Sequence, residues 1–542
     1  MDKKIFLELA LSRIPQLVSL QDRNPISATY GCFDREYWQY KKTDCPYASL
    51  QSGVFSLALL YKNNLPDNIY YRNKKILEWI IAGLKFWSKI QKKGGSFDEY
   101  YPNEKSYIGT ALCLYPCAEA FNLVKDEIDE SSKKMIIRAI DKAANFLSRN
   151  NERFVLNQEM LAALGVYVSN RILRKGRYDK AVRAKIDFII KKQNPEGWFP
   201  EYEGCDVGYL SYTIDFLAVY YKKKRDKKVL GALKKAIDFI SYFLHPDGTV
   251  GGEYTARNTE YLIPHGFSLL NKEIPTAESI LSFFSDSLKK DIVSINCLDN
   301  RYLPLHLYQY IQTYIDYKAA NKKVLLPFEG KEFTKHFDNA GVLVKKIGNA
   351  YIIIGLAKGG VIRVYDVKKK KIIYSDCGYI ISSDGTKASS AYFDKNRNVL
   401  KEDNKLIING KFCKQKYLKP TKYKHILLRL ILTGGILSKI ARESIKKTLI
   451  TKKSLLPIAF KRVIAIDKNN VRITDRVISN EKAAKLILID KFAYRYIPSS
   501  KFFQPQELDG FGVLKFKNLG NLTEISHNID LKNGRAGHKR VK

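Results

Sequence analysis

The sequence predicts a two-part fold, with an N-terminal (α/α)6 toroid over residues 1–325 and an antiparallel β-sandwich over residues 335–542. Three observations predict it: a glycine-rich loop that recurs along the first part, helical patterns between its copies, and a change near residue 335 to short alternating strands. The length of 542 residues also favours two large domains, because a single hydrophobic core seldom grows to that size.

The recurring loop is clearest in GGSFDEYYPNEKSY (94–107) and GWFPEYEGCDVGY (197–209). Both contain Gly-x-Phe-x-Glu-Tyr and, seven residues after that tyrosine, a second tyrosine that is expected at the start of a helix. Divergent copies with one inserted residue begin at Gly31 and Gly248. Such a repeat indicates one structural unit that is used several times.

The spacing of these copies predicts two more. The interval between the copies that contain Tyr100 and Tyr202 is close to double length, so a hidden copy is expected within 149–167 and a sixth within 300–317. Segments between the copies, such as KILEWIIAGLKFWSKI, have the apolar spacing of amphipathic helices. Two helices and one loop form an αα-hairpin, and six such hairpins closed into a ring would gather the Glu, Tyr, Asn and Arg side chains of the loops at one central cleft.

The second part of the chain has the residue pattern of an antiparallel β domain. Segments such as AYIIIGLAKGGVIRVYD and RVIAIDKNNVRITDRVI alternate apolar and polar residues between turns, which predicts a sandwich. Residues 425–453 differ, because they are apolar on one side and basic on the other. They are expected to pack on the sandwich as a helix or a long excursion, and peripheral contact with a membrane surface is the alternative.

The net charge of +38 indicates what kind of partner the protein would attract. A field of this sign favours polyanions such as an acidic polysaccharide or an anionic surface, although a general preference for lysine would explain it equally well. No nucleic acid is expected, because the basic residues are spread along the chain and match no nucleic-acid-binding module.

Cysteine usage and hydropathy favour a cytoplasmic location. The eight cysteines are scattered without CxxC pairs, which is typical of free buried thiols in a reducing compartment. Glu8 and Arg13 interrupt the first apolar run, so no secretion signal is expected, and no uncharged run is long enough to span a bilayer.

A toroid followed by a sandwich, with these loops, resembles the heparinase II/III-like polysaccharide lyases, a family that includes alginate lyases of the same architecture. The likeness extends over nearly the whole chain. It implies cleavage of a uronate-containing polysaccharide by β-elimination: a polar group neutralises the uronate carboxylate, a Tyr or His removes the C5 proton, and a Tyr protonates the leaving oxygen. No cofactor is implied. Some family members hold a structural metal ion in the sandwich, but no ligand cluster in this sequence indicates one.

The resemblance implies three catalytic residues. Asn157 in FVLNQEM stands where the family has the amide that masks the carboxylate, and Tyr209 in GCDVGYLSY matches the catalytic tyrosine. His265 lies at a loop-to-helix junction and is the toroid histidine considered as a base, with a purely structural role as the alternative. The neighbouring residues expected to bind substrate are Gln158, Arg257, Asn258, Tyr107, Glu201, Tyr261 and Tyr100.

One departure from the family pattern supports a second hypothesis. Lys358-Gly359 stands where the family sandwich presents a His, although Asp376 and Gly378 of the following turn match. The first hypothesis remains a lyase. The second is a non-catalytic polysaccharide-binding or accessory protein of exopolysaccharide or surface-glycan biosynthesis, and a cytoplasmic location would favour this second hypothesis. The segment 193–198 also resembles the Gln…Gly-Trp repeats of terpenoid cyclases, but the Asp-rich diphosphate motif of those proteins is missing from the sequence.

Overall fold

The computed structural model describes residues 1–174, 176–320, 322–383, 385–415, 419, 421–432, 453–479, 485–491, 502–509, 512–516 and 522–540. The helices before the first strand are α1 (Lys4–Leu20), α2 (Arg35–Trp38), α3 (Gly53–Lys62), α4 (Lys74–Ile90), α5 (Tyr107–Val124), α6 (Glu130–Arg149), α7 (Leu156–Leu173), α8 (Asp179–Lys192), α9 (Val207–Lys224), α10 (Lys227–Ser241), α11 (His265–Leu270), α12 (Pro275–Leu288) and α13 (Leu303–Asp316).

These helices form a closed double ring. In the inner ring α3, α5, α7, α9, α11 and α13 each pack against the next, and α13 packs back against α3. The helices α4, α6, α8, α10 and α12 form the outer layer, and α1 packs against α13. The sequence explains the two layers: α7 is buried along nearly its whole length, whereas α6 has one apolar and one charged face. The predicted (α/α)6 toroid is confirmed.

Both hidden copies of the repeat are present as inner helices. α7 begins within the 149–167 segment and α13 within the 300–317 segment. Tyr107 and Tyr209 lie in the first turns of α5 and α9, as predicted for the second tyrosine of the loop. The prediction is wrong for Tyr261, which lies four residues before α11. The loop before it contains left-handed backbone at Gly251 and Asn258, which a helix cannot accommodate.

The strands after the toroid form two antiparallel sheets. They are β1 (Phe333–Phe337), β2 (Val342–Ile347), β3 (Ala350–Gly355), β4 (Val361–Asp366), β5 (Lys371–Asp376), β6 (Tyr379–Ser383), β7 (Thr386–Ser389), β8 (Val399–Glu402), β9 (Lys405–Lys414), β10 (Leu455–Ile466), β11 (Asn470–Ile478), β12 (Lys485–Ile489), β13 (Val513–Phe516), β14 (Leu522–Asp530) and β15 (Arg535–Arg540). One sheet has the order β1-β2-β3-β4-β5. The other has the order β13-β12-β6-β7-β9-β10-β11-β14-β15, with β8 on β9.

The five-stranded sheet lies between the toroid and the larger sheet. In β3, Tyr351 and Ile353 join the core shared with the toroid, and the alternating Ile352 and Ile354 join the core shared with the larger sheet. All six residues of β3 are therefore buried. This double burial explains the continuous apolar run AYIIIG, and it docks the β-sandwich firmly on the toroid. The predicted fold class is confirmed in both of its parts.

The segment 425–453 is described only in part. A helix, α14 (Lys422–Ile431), covers its beginning, and none of the helix's residues is buried. Packing on the sandwich is therefore not seen over these residues; Arg429 instead pairs with Asp44 of the toroid. Residues 433–452 lie outside the described residues. None of the helices that the structure describes is long and apolar enough to cross a membrane.

The cysteines are free thiols, as the sequence predicts, and all except Cys297 are buried. Burial in the core raises the pKa of the Cys113 and Cys205 thiols above the ordinary range. A thiol with a raised pKa is a poor nucleophile at neutral pH, so these cysteines serve as small core residues.

Candidate active site at the loop end of the toroid

The loops that precede the inner helices lie side by side on one face of the ring. Backbone hydrogen bonds connect neighbouring loops: Ala48 N donates to Asp98 O, Tyr202 N to Phe154 O, and Ala256 N to Cys205 O. The N-terminal ends of the inner helices consequently meet at this face, where their peptide dipoles present partial positive charge. The arrangement supports the predicted convergence of the loop side chains, and a site at this face would favour an anionic ligand.

Two hydrogen bonds join Asn157 and Glu201 in the site. The amide Nδ2 of Asn157 donates to Glu201 Oε2 at 2.7 Å, and the backbone N of Asn157 donates to Glu201 Oε1 at 3.1 Å. Burial raises the pKa of Glu201 to about 8, against the opposing effect of these hydrogen bonds. Glu201 is therefore mostly protonated at neutral pH, and it orients Asn157 without adding a full negative charge. Gln158 is half-buried beside them.

The predicted tyrosines of two neighbouring loops meet. The rings of Tyr209 and Tyr261 are 6.2 Å apart in a T-shaped arrangement, with Tyr209 half-buried and Tyr261 buried. Behind them, the hydroxyl of Tyr212 and Nε2 of His306 lie 2.9 Å apart. Burial lowers the pKa of His306 to about 3, so this imidazole is neutral. Neither Tyr212 nor His306 was predicted from the sequence, although Tyr212 follows the 197–209 loop copy by three residues and His306 lies in the 300–317 segment.

Arg257 lies close to the same group of residues. Its guanidinium lies 4.4 Å from the centre of the Tyr202 ring, and its side chain is buried. Burial raises the pKa of both Glu201 and Asp206, and the positive charge of Arg257 opposes that rise. Asp206 in turn accepts from the backbone N of Tyr209 at 3.1 Å. Arg257 is thus a buried cation beside the residues that hold Asn157 and Tyr209.

Asn258 is hydrogen-bonded to the sandwich. Its Oδ1 accepts from Lys358 Nζ at 2.8 Å, and both residues are buried. The role of Asn258 in substrate binding stays a prediction; in the structure its amide oxygen accepts a hydrogen bond from the lysine. Its backbone has φ +61°, a left-handed conformation that asparagine adopts more readily than most residues.

His265 is enclosed by two carboxylates. Its Nδ1 lies 2.8 Å from Asp215 Oδ1 and its Nε2 lies 2.9 Å from Asp316 Oδ2. Burial alone would lower the pKa of His265, but the two aspartates outweigh it and raise the pKa to about 9. A protonated imidazole has no lone pair with which to accept a proton. The geometry therefore favours the structural alternative for His265 over the role of a base.

Tyr107 belongs to a buried charged network. Its hydroxyl donates to Glu159, which also pairs with Lys185 at 2.7 Å. Lys185 Nζ donates to Tyr107 Oη at 3.2 Å as well. Burial and the charge of Glu159 raise the pKa of Tyr107 well above its usual range. Tyr107 is therefore a phenol and a hydrogen-bond donor. Lys185 was missed because it lies on the outer helix α8 among other lysines, where a charged side chain is ordinarily exposed.

Tyr100 lies at the solvent edge of the loop face. Its side chain is 62% exposed, and the guanidinium of Arg301 lies 4.9 Å from the centre of its ring. Arg301 also lies 4.5 Å from the ring centre of Tyr47, so the cation is shared by two aromatic side chains. Arg301 was missed, although it falls in the 300–317 segment where a sixth loop was expected. The exposed Tyr100 and the half-buried Arg301 thus form part of one rim of the loop face.

Within the described part of the chain, no three His, Cys, Asp or Glu side chains lie together in a way that could hold a metal ion. The structure brings Asn157, Glu201, Arg257, Tyr209 and Tyr261 together on neighbouring loops. Tyr107 and Tyr100 lie on the adjacent loop, His265 is enclosed by Asp215 and Asp316, and Asn258 is bound to Lys358. The candidate site is therefore a cluster of amide, phenol and guanidinium groups.

Replacing Glu201 by Gln should reveal its raised pKa. The folded-state pKa of about 8 lies above the ordinary value of 4.5 expected in the unfolded chain, so the stability that the carboxyl contributes is present at low pH and is lost as pH rises through about 8. We expect the wild-type melting temperature to fall relative to Glu201→Gln between about pH 5 and pH 8. Glu99→Asp is the control, because Glu99 is also buried but binds Ser49 and Ser106, and the variant keeps a carboxyl group. A difference between wild type and Glu201→Gln that does not change with pH would contradict the assignment.

Comparison with known proteins supports the family likeness. Residues 66–262 match the family model described as the ulvan lyase N-terminal domain. This range includes every predicted site residue except His265. No curated protein matches the chain.

Solved structures share the fold at low sequence identity. The chondroitin AC lyase of Streptomyces coelicolor A3, in complex with chondroitin sulphate, superposes with a TM-score of 0.55 at 9% identity, over 90% of this chain and 68% of that chain. A xanthan lyase from Paenibacillus superposes with a TM-score of 0.53 at 10% identity, over 97% of this chain and 51% of that one. The chain thus spans about half the length of the xanthan lyase. These comparisons support the expected resemblance: residues 66–262 match a lyase family model, and the chain shares the fold of polysaccharide lyases that combine a helical toroid with a β-sandwich.

Proposed function

We propose that the protein cleaves an acidic, uronate-containing polysaccharide by β-elimination at the loop face of the toroid. The observation that carries the proposal is the convergence of Asn157, Tyr209 and Arg257 on neighbouring loops at the N-terminal ends of the inner helices. The family match over residues 66–262 and the two structural neighbours, a xanthan lyase and a chondroitin AC lyase, support a polysaccharide as the substrate class.

The chemistry of elimination explains why these residue types are needed. The proton on C5 of a uronate is weakly acidic, and removing it places negative charge on the adjacent carboxylate. In our proposal Asn157 donates a hydrogen bond to that carboxylate and Arg257 supplies a positive charge, so that the developing dianion is stabilised. Glu201 holds the amide of Asn157 by two hydrogen bonds and, because it is protonated near neutral pH, does not repel the substrate.

Tyr209 has the role of acid and base. Its ring is half-buried against Tyr261, and Asp206 fixes the first turn of its helix. In the proposal its phenolate accepts the C5 proton, and the resulting phenol protonates the leaving glycosidic oxygen, so one residue is restored after each cycle. The electron pair of the C5–H bond forms the C4–C5 double bond as the C4–O bond breaks. No water enters the product.

The test is an assay for the double bond. The protein is incubated with polymers of glucuronate, mannuronate or guluronate, and with a neutral glucan as control. We expect ultraviolet absorbance of the conjugated uronate to grow with an acidic polymer and to stay flat with the glucan. If none of the acidic polymers gives the chromophore while the protein binds one of them, the elimination proposal is wrong.

A non-catalytic role in exopolysaccharide or surface-glycan biosynthesis is the second candidate. It is favoured by Lys358, which stands in place of the family's histidine and is buried. Such a protein should be retained on an anionic polysaccharide column, and the retention should weaken steeply with salt because the attraction is electrostatic. Retention without the chromophore would favour this candidate, and absence of retention at low salt would exclude it.

A further inference from the structure

The loop that carries Arg257 and Tyr261 has neither helix nor strand, yet it is buried. Residues 250–264 are all buried, and positive φ angles occur at Gly251, Gly252 and Asn258. A buried irregular loop must find partners for its backbone and polar side chains outside itself. Its conformation is therefore determined by the groups that surround it.

The toroid supplies one set of partners. The carboxylate of Asp206 accepts from Thr255 Oγ1 at 3.2 Å and from the backbone N of Thr259 at 3.2 Å. The hydroxyl of Thr259 accepts from the backbone N of Gly208 at 2.7 Å. These contacts tie the loop to the start of α9, the helix that carries Tyr209.

The sandwich supplies the other set, through two buried cations. Lys358, in the turn between β3 and β4, donates to Asn258 Oδ1 at 2.8 Å. Arg363, on β4, donates to Gly251 O at 3.2 Å and pairs with Glu260 at 2.8 Å. Lys358 and Arg363 are only 1% and 5% exposed, so neither can reach a polysaccharide in the loop cleft.

The approach of Arg363 to the loop is unusually close. A Cβ added to Gly252 would lie 2.5 Å from Arg363 Nη1, so the glycine leaves room for the guanidinium. On the facing strand, a Cβ at Gly355 would lie 3.0 Å from the Cα of Tyr254. The backbone of the loop and the sandwich thus meet at glycines on both sides, which fixes their distance.

We infer that Lys358 and Arg363 are positioning residues, through which the sandwich holds the loop 250–261 so that Arg257 and Tyr261 keep their places beside Tyr202 and Tyr209. The inference rests on the proposed function for its catalytic consequence. It gives a reason for the lysine in place of the family's histidine: Lys358 acts on the site through Asn258 and does not touch the substrate. The sandwich then helps to determine the geometry of the site by holding the loop that carries Arg257 and Tyr261.

The experiment compares Lys358→Met with wild type in the full chain. We expect turnover of the eliminated polymer to fall on the order of 10-fold to 100-fold, because small displacements of reacting groups have effects of that size, while KM changes little. Hydrogen exchange followed by mass spectrometry should become faster in peptides covering 250–261. Lys401→Met is the control, since Lys401 pairs with Asp338 on the exposed side and does not contact the loop.

The exchange measurement and a second variant keep the inference separate from the proposed function. If wild type eliminates no polymer, the exchange data still decide: faster exchange at 250–261 in Lys358→Met supports the positioning role, and unchanged exchange overturns it. If Lys358→Met does not fold, Arg363→Lys replaces it, because it keeps the charge but loses one of the two loop contacts. Lost turnover with unchanged loop exchange in either variant would also overturn the inference.

Discussion

Replacing Tyr209 by Phe should remove lyase activity while leaving the fold and polysaccharide binding intact. The hydroxyl is the group proposed to move the proton, and a positioned acid–base side chain contributes about 10²-fold to 10⁴-fold to a rate. We expect turnover to fall by at least about 10²-fold, with retention on the substrate column unchanged. The measurement is the initial rate of chromophore formation at saturating polymer.

A matched control separates the hydroxyl's chemistry from loss of a phenol in general. Tyr220 lies on the same helix, is buried, and packs against Tyr167 at the far end from the loop face. Tyr220→Phe should keep nearly full activity. Equal losses in both variants, or full activity of Tyr209→Phe, would remove Tyr209 from the mechanism.

Replacing Asn157 by Ala should have the second largest effect. The amide is proposed to stabilise the charge that develops on the carboxylate, and removal of one such donor costs about 10²-fold to 10³-fold in turnover. Stabilising the charge on the carboxylate matters most as the enolate forms, so turnover should fall more than KM rises. Steady-state kinetics on the polymer that wild type prefers would measure both quantities.

The helix α7 offers a control at its other end. Asn170 is also buried, and its Nδ2 donates to Asp179 at 2.9 Å, much as Asn157 donates to Glu201. Both alanine variants should lose about 1–3 kcal/mol of stability because each removes a buried amide that donates a hydrogen bond to a carboxyl group, Glu201 being buried and Asp179 half-buried. Only Asn157→Ala should lose turnover. A similar kinetic loss in Asn170→Ala would show that the effect of Asn157→Ala comes from stability.

The architecture could be predicted from the sequence because its signals are local and repeated. The Gly-x-Phe-x-Glu-Tyr loop marks turns into inner helices, and the spacing of its copies indicated the two segments that form α7 and α13. The glutamate of the motif holds its own loop: Glu99 accepts from Ser49 and Ser106, and Glu201 accepts from Asn157. Repetition of a loop is visible in a sequence even where the helices between copies diverge.

The environment of single site residues could not be predicted, because it depends on residues far apart in the chain. His265 is held in its protonated form by Asp215 and Asp316, each about fifty positions away. The hydrogen bond between Lys358 and Asn258 spans a hundred positions and joins two domains. No periodicity or motif connects such residues, and they meet only when the ring closes and the sandwich docks.

The most direct test of the proposed mechanism is the mass of the products formed from an acidic polymer. Elimination breaks the C4–O bond without adding water, so we predict unsaturated products that are lighter by one water molecule than the products of hydrolysis and whose formation is lost in Tyr209→Phe. Saturated products, heavier by that water molecule, would show hydrolysis instead. That result would contradict the central claim that Tyr209, Asn157 and Arg257 form the site of a β-elimination.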